Sequence, residues 1–260
     1  MTLLADVVAA SEEVAATSSR SAKIVTLAAL LRRLEPREVP IAVGFLSGLP
    51  RQGRVGIGYQ TIRGIEGRPA ADASLTIDDL DLAISAIEAA TGAGSAATRR
   101  RMLGALFDRA TEPESGFVRR LVTGELRQGA SAGLMADAVA AAAGVPGPLV
   151  RRALMLSGDL TRTAEIATTE GERGLRAVGL EVFRPILPML ASTAASVADA
   201  AAGFERASVE WKLDGIRIQI HRRSEEVRIF TRNLNDITHA LPGIVAAVLR
   251  PPEGWTMRSR

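Results

Sequence analysis

Residues 208–231 read SVEWKLDGIRIQIHRRSEEVRIFT, and here the chain stops reading as helix. Ile216, Ile218 and Ile220 alternate with Arg217, Gln219 and His221. A period of two marks a strand with one buried and one solvated side. Ser208–Lys212 and Val227–Thr231 carry the same alternation. Asp214-Gly215 is a tight-turn dipeptide between the first two runs. The stretch predicts three antiparallel strands, with a hairpin that brings Lys212 and Arg217 close across its turn.

Working outward, the preceding residues have a helical period. Leu3, Leu4, Val7 and Val8 recur at helical spacing, as do Ile24, Leu27, Leu30, Leu31 and Leu34. Thr76 before Ile77-Asp78-Asp79 is an N-cap signal. Thr98–Ala110, Phe117–Val122, Leu134–Ala142 and Leu149–Leu156 continue the pattern, with Pro36, Pro50, Pro113, Pro146 and Pro148 between runs. Gly48–Gly67 reads as a loop or a partly ordered hairpin. No fixed period argues for a solenoid. Pro185 and Pro188 mark an extended connection, Ser196–Gly203 a short helix, and Leu241–Leu249 a helix after the strands. The expected organisation is multidomain: an all-α domain over 1–178, then 179–260 as part of an α+β domain with an antiparallel sheet. The second part is short for an independent core.

Composition removes several classes. The chain has 260 residues, 47% hydrophobic and 23% charged, a globular balance. It has no cysteine and two histidines, which disfavours disulfides, thiolate chemistry and histidine-rich metal sites. No apolar run approaches the ~20 residues that span a bilayer, and Met1–Ala10 lacks a basic signal-peptide start. The expected location is cytoplasmic. Of 32 basic residues only Lys23 and Lys212 are lysine. Arginine stays protonated, whereas lysine can lose its proton and attack an electrophile.

Lys212 lies in Glu210-Trp211-Lys212-Leu213-Asp214-Gly215-Ile216-Arg217. A neutral Lys212 amine suits attack on an α-phosphate, and Arg217 suits a phosphate or ribose oxygen. Glu210 shares the sheet face of Lys212 and can accept from a base amino group. A solvated hairpin has the same letters, and the octet alone does not separate the two readings. The scarcity of lysine and the strand-plus-turn VRIFTRNLNDIT at 227–238 favour chemistry.

With these motifs in order, the sequence resembles the ATP-dependent DNA ligases, closest to the type of mycobacteria and other actinobacteria (DNA ligase B). EWKLDGIR resembles nucleotidyltransferase motif I, IFTRNLNDIT motif Ia, and FRPILPMLA the opening of the adenylation domain. SSRSAKIVTLAALLR at 18–32 and the stretch at 99–145 resemble the helical DNA-binding domain. The resemblance implies that Lys212 forms a phosphoramidate with AMP and that Glu210 reads the adenine amino group. It further implies that Arg217 lies near the ribose and Arg232 belongs to the nucleotide pocket. ATP and magnesium are the implied cofactors. Nicked duplex DNA is the implied partner, with no membrane and a monomeric state. The family's acidic motif III would begin about where Trp255–Arg260 stands, so a ligase fragment is expected, with a complete DNA-binding domain and an inactive or feeble adenylation part.

In the helical part, Arg99, Arg100, Arg101, Arg119 and Arg120 read first as solvated helix faces. GELRQGAS at 124–131 is more pointed: Arg127 and Gly129 precede a helix that Ser131 can cap. Glycine permits close approach, and helix N-terminal amides bind phosphate. The ligase domain lies along the minor groove on both sides of a nick. The resemblance thus makes Arg127, Gly129, Arg99 and Arg100 candidate phosphate contacts. With 3% aromatic residues, binding should be backbone-directed. His221 and His239 read as structural, and no metal ligand is assigned. Two other functions fit: a non-catalytic DNA-binding remnant, and a different lysine nucleotidyltransferase of the RNA-ligase or capping type. The long helical region disfavours the latter.

Overall fold

The structure is a computed structural model that describes residues 1–53, 57, 62, 64–65, 68–126, 128–189, 193–211 and 214–250. The chain forms two compact units: Met1–Leu154 with Asp159–Gly179, and Met155–Gly158 with Leu180–Arg260.

The first unit is helical. Its elements are α1 (Leu4–Ala16), α2 (Arg20–Arg33), α3 (Val39–Leu46), α4 (Ile77–Ala89), α5 (Ser95–Arg109), α6 (Glu112–Thr123), α7 (Ala132–Ala143), the start of α8 (Gly147–Ser157), α9 (Leu160–Thr169) and α10 (Gly171–Ala177). Local chemistry sets the boundaries. Thr76 and Thr111 form reciprocal capping boxes with Asp79 and Glu114. Ser19, Ser131 and Asp159 accept from amides of their own first turns. Gly124 and Gly144 end α6 and α7 in the left-handed region.

Between those ends, apolar residues three and four apart make one buried face. Val7 and Val14, Leu27 and Leu31, and Leu80, Ile84 and Ile87 are each buried. Helix α3, VPIAVGFL, is buried on all sides and packs against α9, α4 and α1, while α2 lies along α7. An added Cβ at Gly44 would stand 3.1 Å from the Leu49 carbonyl oxygen, so the chain after α3 folds back where only glycine fits well.

Two buried carboxylates in this unit, Glu38 and Asp81, are held by several donors each. Glu38, fully buried, accepts from Thr2 N–H at 2.9 Å, Thr2 Oγ1 at 2.8 Å and Glu35 N–H at 3.0 Å. Asp81 is buried against Arg51 and accepts from Gln52 at 2.8 Å.

The second unit centres on an antiparallel hairpin of β1 (Ile218–Arg223) and β2 (Glu226–Thr231), in register from Ile218 with Thr231 to Arg223 with Glu226. Its two-residue turn is Ser224-Glu225, with Ser224 at φ 52°. A left-handed first turn residue matches the twist of a hairpin. After α11 (Val197–Ala201) and the strands, α12 (Pro242–Leu249) packs on one hairpin face. There Val227, Ile229 and Val248 gather Ile218, Ile237, Leu241, Ile244, Val245 and Leu249.

Two expectations change here. Residues 208–211 and 214–217 are not strand, and Gly215 is at a bend, so Asp214-Gly215 does not join a described hairpin. For residues 216 and 217 the reason lies in β2. Its last residue already pairs with Ile218, and Leu234 at φ 64° turns the chain back, so that Thr231 N–H donates to the Asn235 carbonyl and Ile237 N–H to the Ile229 carbonyl. Nothing of β2 remains to pair with residues before 218.

Nor is the polar side of β1 solvated. Gln219 and His221 both bond the main chain of 183–186, and Phe230 on the same face is buried. Ile220, expected inward, is 40% exposed. Half of the Gly48–Gly67 stretch lies outside the described residues; within it Ile57, Ile62 and Ile65 are buried.

Candidate functional site

In the second unit, Lys212 and Leu213 lie outside the described residues. Glu210 is exposed, and its Oε1 accepts from Ser208 Oγ at 3.4 Å. Trp211 beside it is 93% exposed. Arg217 is exposed immediately before β1, and Arg232 immediately after β2. Because Ile218 pairs with Thr231, Arg217 and Arg232 leave the hairpin at the same open end. Two permanent cations there suit phosphate or ribose oxygens. No described contact ties Glu210 to either arginine. Glu210, Arg217 and Arg232 are all on the surface, so the described residues do not enclose a nucleotide.

Nor do they gather metal ligands. Among the described residues, no group of three or more His, Asp or Glu is placed to hold an ion. His221 Nδ1 accepts from Phe183 N–H at 2.9 Å, and its ring meets Phe230 edge-on at 5.2 Å. Burial holds the His221 imidazole below its ordinary pKa. His239 is exposed, in the short 3₁₀ turn Thr238–Ala240.

In the helical unit, the candidate arginines brace loops as well as facing water. Arg99 Nε donates to the Ala90 carbonyl at 3.0 Å, and Arg100, exposed, donates to the Gly64 carbonyl. Arg119 donates to the carbonyls of Ile62 at 2.9 Å and Ile65 at 2.8 Å, with its guanidinium 4.2 Å from the Phe107 ring centre. Arg101 and Arg120 are exposed. Arg127 lies outside the described residues, whereas Gly129 is exposed at φ 78°. Ser131 caps α7 as its position predicts, accepting from Leu134 N–H at 3.4 Å.

Three residues at this turn escape the sequence pattern. Gln128 is buried; its Oε1 accepts from Ser11 Oγ and its Nε2 donates to the Leu46 carbonyl. Lys23 Nζ donates to the Gln128 carbonyl at 3.1 Å. The only signal for Lys23 was its type, one of two lysines; Gln128 and Ser11 gave none. Elsewhere in this unit, a cavity of 880 Å³ is lined in part by Arg37, Arg51, Asp78, Asp81, Arg162 and Glu165. Arg37 pairs with Asp78 at 3.2 Å and Arg51 with Asp81, so its charges largely neutralise each other. None of the candidate residues lines it.

A helical unit with a glycine turn precedes, in the sequence, a hairpin unit that carries the lysine octet, the order that the sequence resemblance implies. Comparison with known proteins makes this specific. Residues 59–140 match the family described as DNA ligase N terminus, and residues 188–253 the ATP dependent DNA ligase domain. A probable DNA ligase of Pseudarthrobacter chlorophenolicus is 51% identical over 246 residues, 95% of this chain and 48% of the relative. One from Rhodococcus opacus is 51% identical over 251 residues, 96% of this chain and 50% of the relative. One from Mycolicibacterium vanbaalenii is 49% identical over 255 residues, 96% of this chain and 48% of the relative. The chain belongs to the ATP-dependent DNA ligase family. It spans about half the length of the curated relatives it matches. Among the described residues no helix is long and apolar enough to cross a membrane.

Proposed function

We propose that this chain takes part in sealing nicks in duplex DNA, with Lys212 as the adenylated residue. The observation that carries the reading is the order of its parts: a helical region matching the DNA ligase N terminus, then the EWKLDGIR octet inside the segment matching the ATP-dependent ligase domain. In the proposed sequence, the neutral Lys212 amine attacks the α-phosphate of ATP and releases pyrophosphate. AMP then passes from lysine to the 5′-phosphate at a nick, and the 3′-hydroxyl attacks that phosphate and expels AMP. Arg217 and Arg232 hold phosphate or ribose oxygens, and Glu210 accepts from the adenine amino group. Magnesium would neutralise the phosphates in such chemistry; the described residues offer no ligand cluster for it.

The helical region, 1–178, binds the duplex through phosphates. Arg99, Arg100, Arg127 and Gly129 are the proposed contacts, and 179–260 is the opening part of the adenylation domain. Since Glu210, Arg217 and Arg232 lie open on the surface, the 260-residue polypeptide by itself adenylates slowly or not at all.

Mass spectrometry after incubation with ATP and magnesium tests the assignment, on this polypeptide and on a form extended to the length of its relatives. The extended form should gain one AMP on Lys212, and Lys212→Arg should abolish it because guanidinium stays protonated. Label that persists in that variant, or maps to Lys23, refutes the role of Lys212. Nick sealing by the 260-residue polypeptide at the rate of the extended form would refute its inactivity.

A further inference from the structure

We infer that Lys23 contacts a DNA backbone phosphate from the rigid turn around Gln128 and Gly129. The inference rests on the DNA-binding reading above and adds a residue from a helix more than a hundred positions away in sequence.

The turn is a platform. Gln128 is 6% exposed, and its side-chain amide reaches inward to Ser11 on α1 and to the Leu46 carbonyl at the end of α3. A buried amide left unbonded would be costly, so the two bonds lock this point of the chain to two helices. Ser131 caps α7 three residues on, and Glu125 N–H donates to the Arg120 carbonyl at 2.8 Å. Both ends of the turn are therefore anchored.

Lys23 lies in the first turn of α2, half-buried, with its ammonium on the Gln128 carbonyl. An ammonium has three N–H donors. Among the described residues, that carbonyl is its one hydrogen-bond acceptor, and it forms no ion pair. Asp137 on α7, which accepts from Arg20 of the same first turn, is shared with Arg151. Among the described residues, Lys23 thus has no ion-pair partner beside an exposed glycine.

Gly129 keeps that charge open. It stands at φ 78°, and an added Cβ would lie 2.5 Å from Lys23 Nζ. A side chain at 129 would strain the backbone and displace the Lys23 ammonium from its place. A compact, strongly hydrated ammonium fits beside the Gly129 main chain. The ligand chemistry this presents to is a single anionic oxygen reached from outside, as on a duplex backbone.

The test is binding of the 260-residue chain to a nicked duplex of arbitrary sequence, by fluorescence anisotropy across a series of salt concentrations. Lys23→Gln should reduce the slope of log affinity against log salt by about 0.9 and weaken binding about eightfold at 0.1 M salt. Lys23→Arg should restore the slope. Arg176→Gln, which removes an exposed partner of Glu172 on α10, serves as the comparison and should change neither quantity. A wild-type slope in Lys23→Gln overturns the inference. So does weaker binding at an unchanged slope with a lower melting temperature, because Lys23 would then only hold the turn. Absence of salt-dependent binding by the wild type removes the DNA-binding reading itself, and this contact with it.

Discussion

The side-chain amide of Gln219 holds both polar groups of Ile186. Its Oε1 accepts from Ile186 N–H at 3.0 Å and its Nε2 donates to the Ile186 carbonyl at 2.5 Å. The proline-rich segment thus docks on β1 through a side chain that stands in for a neighbouring strand. Two residues on, His221 receives Phe183 N–H in the same way. Gln219→Leu should leave a part-buried donor and acceptor unpaired and cost about 1–3 kcal/mol. Gln219→Glu, which can accept but not donate, should also destabilise the second unit. Hydrogen exchange at the Ile186 amide and chemical unfolding measure both. Unchanged protection of that amide in Gln219→Leu would count against the role.

His221 should make the second unit acid-sensitive. Burial holds its pKa below the ordinary 6.5, so the folded state favours the neutral ring. A folded pKa depressed below the unfolded one gives stability that is fully present above about pH 6.5 and is lost as pH falls through the folded value. Protonation at Nδ1 would also remove the acceptor for Phe183 N–H, a residue held at φ 73° with Arg223 and Arg228 over its ring. Urea unfolding of the second unit at pH 7.5 and pH 5.0, with His221→Gln as the reference that cannot titrate, should reveal a pH dependence confined to the wild type.

Glu38 should do the same for the helical unit at lower pH. Burial pushes its carboxyl up, but the hydrogen bonds from Thr2 and Glu35, together with the N-terminal ammonium, outweigh this and leave it below the ordinary range. Its contribution is present above the ordinary value of 4.5 and is lost as pH falls through the folded pKa. Glu38→Gln should cost roughly 1.5–3 kcal/mol at neutral pH, the worth of hydrogen bonds to a charged group. The difference between variant and wild type should shrink below pH 4. Thermal melts at pH 7 and pH 3.5 check this; a constant difference would contradict it.

What the sequence determined by itself is the local part. Thr76 with Asp79, and Ser131 before α7, specify helix ends through bonds spanning three residues, and the three-and-four spacing of Leu80, Ile84 and Ile87 specifies a buried face. The octet around Lys212 and the order of motifs were legible as letters, without reference to packing. Tertiary structure alone decided which alternating run becomes a strand. Ile216 and Ile218 have the same pattern, yet only Ile218 finds a partner, because β2 turns back at Leu234 and offers none to residues before it. Alternation states that a side would be buried if something covered it; what covers it is a long-range fact. For the same reason the polar side of β1 read as solvated, until residues 183–186 came to lie against Gln219 and His221. Lys23 and Gln128 likewise meet across 105 residues, a distance at which sequence spacing carries no geometric information.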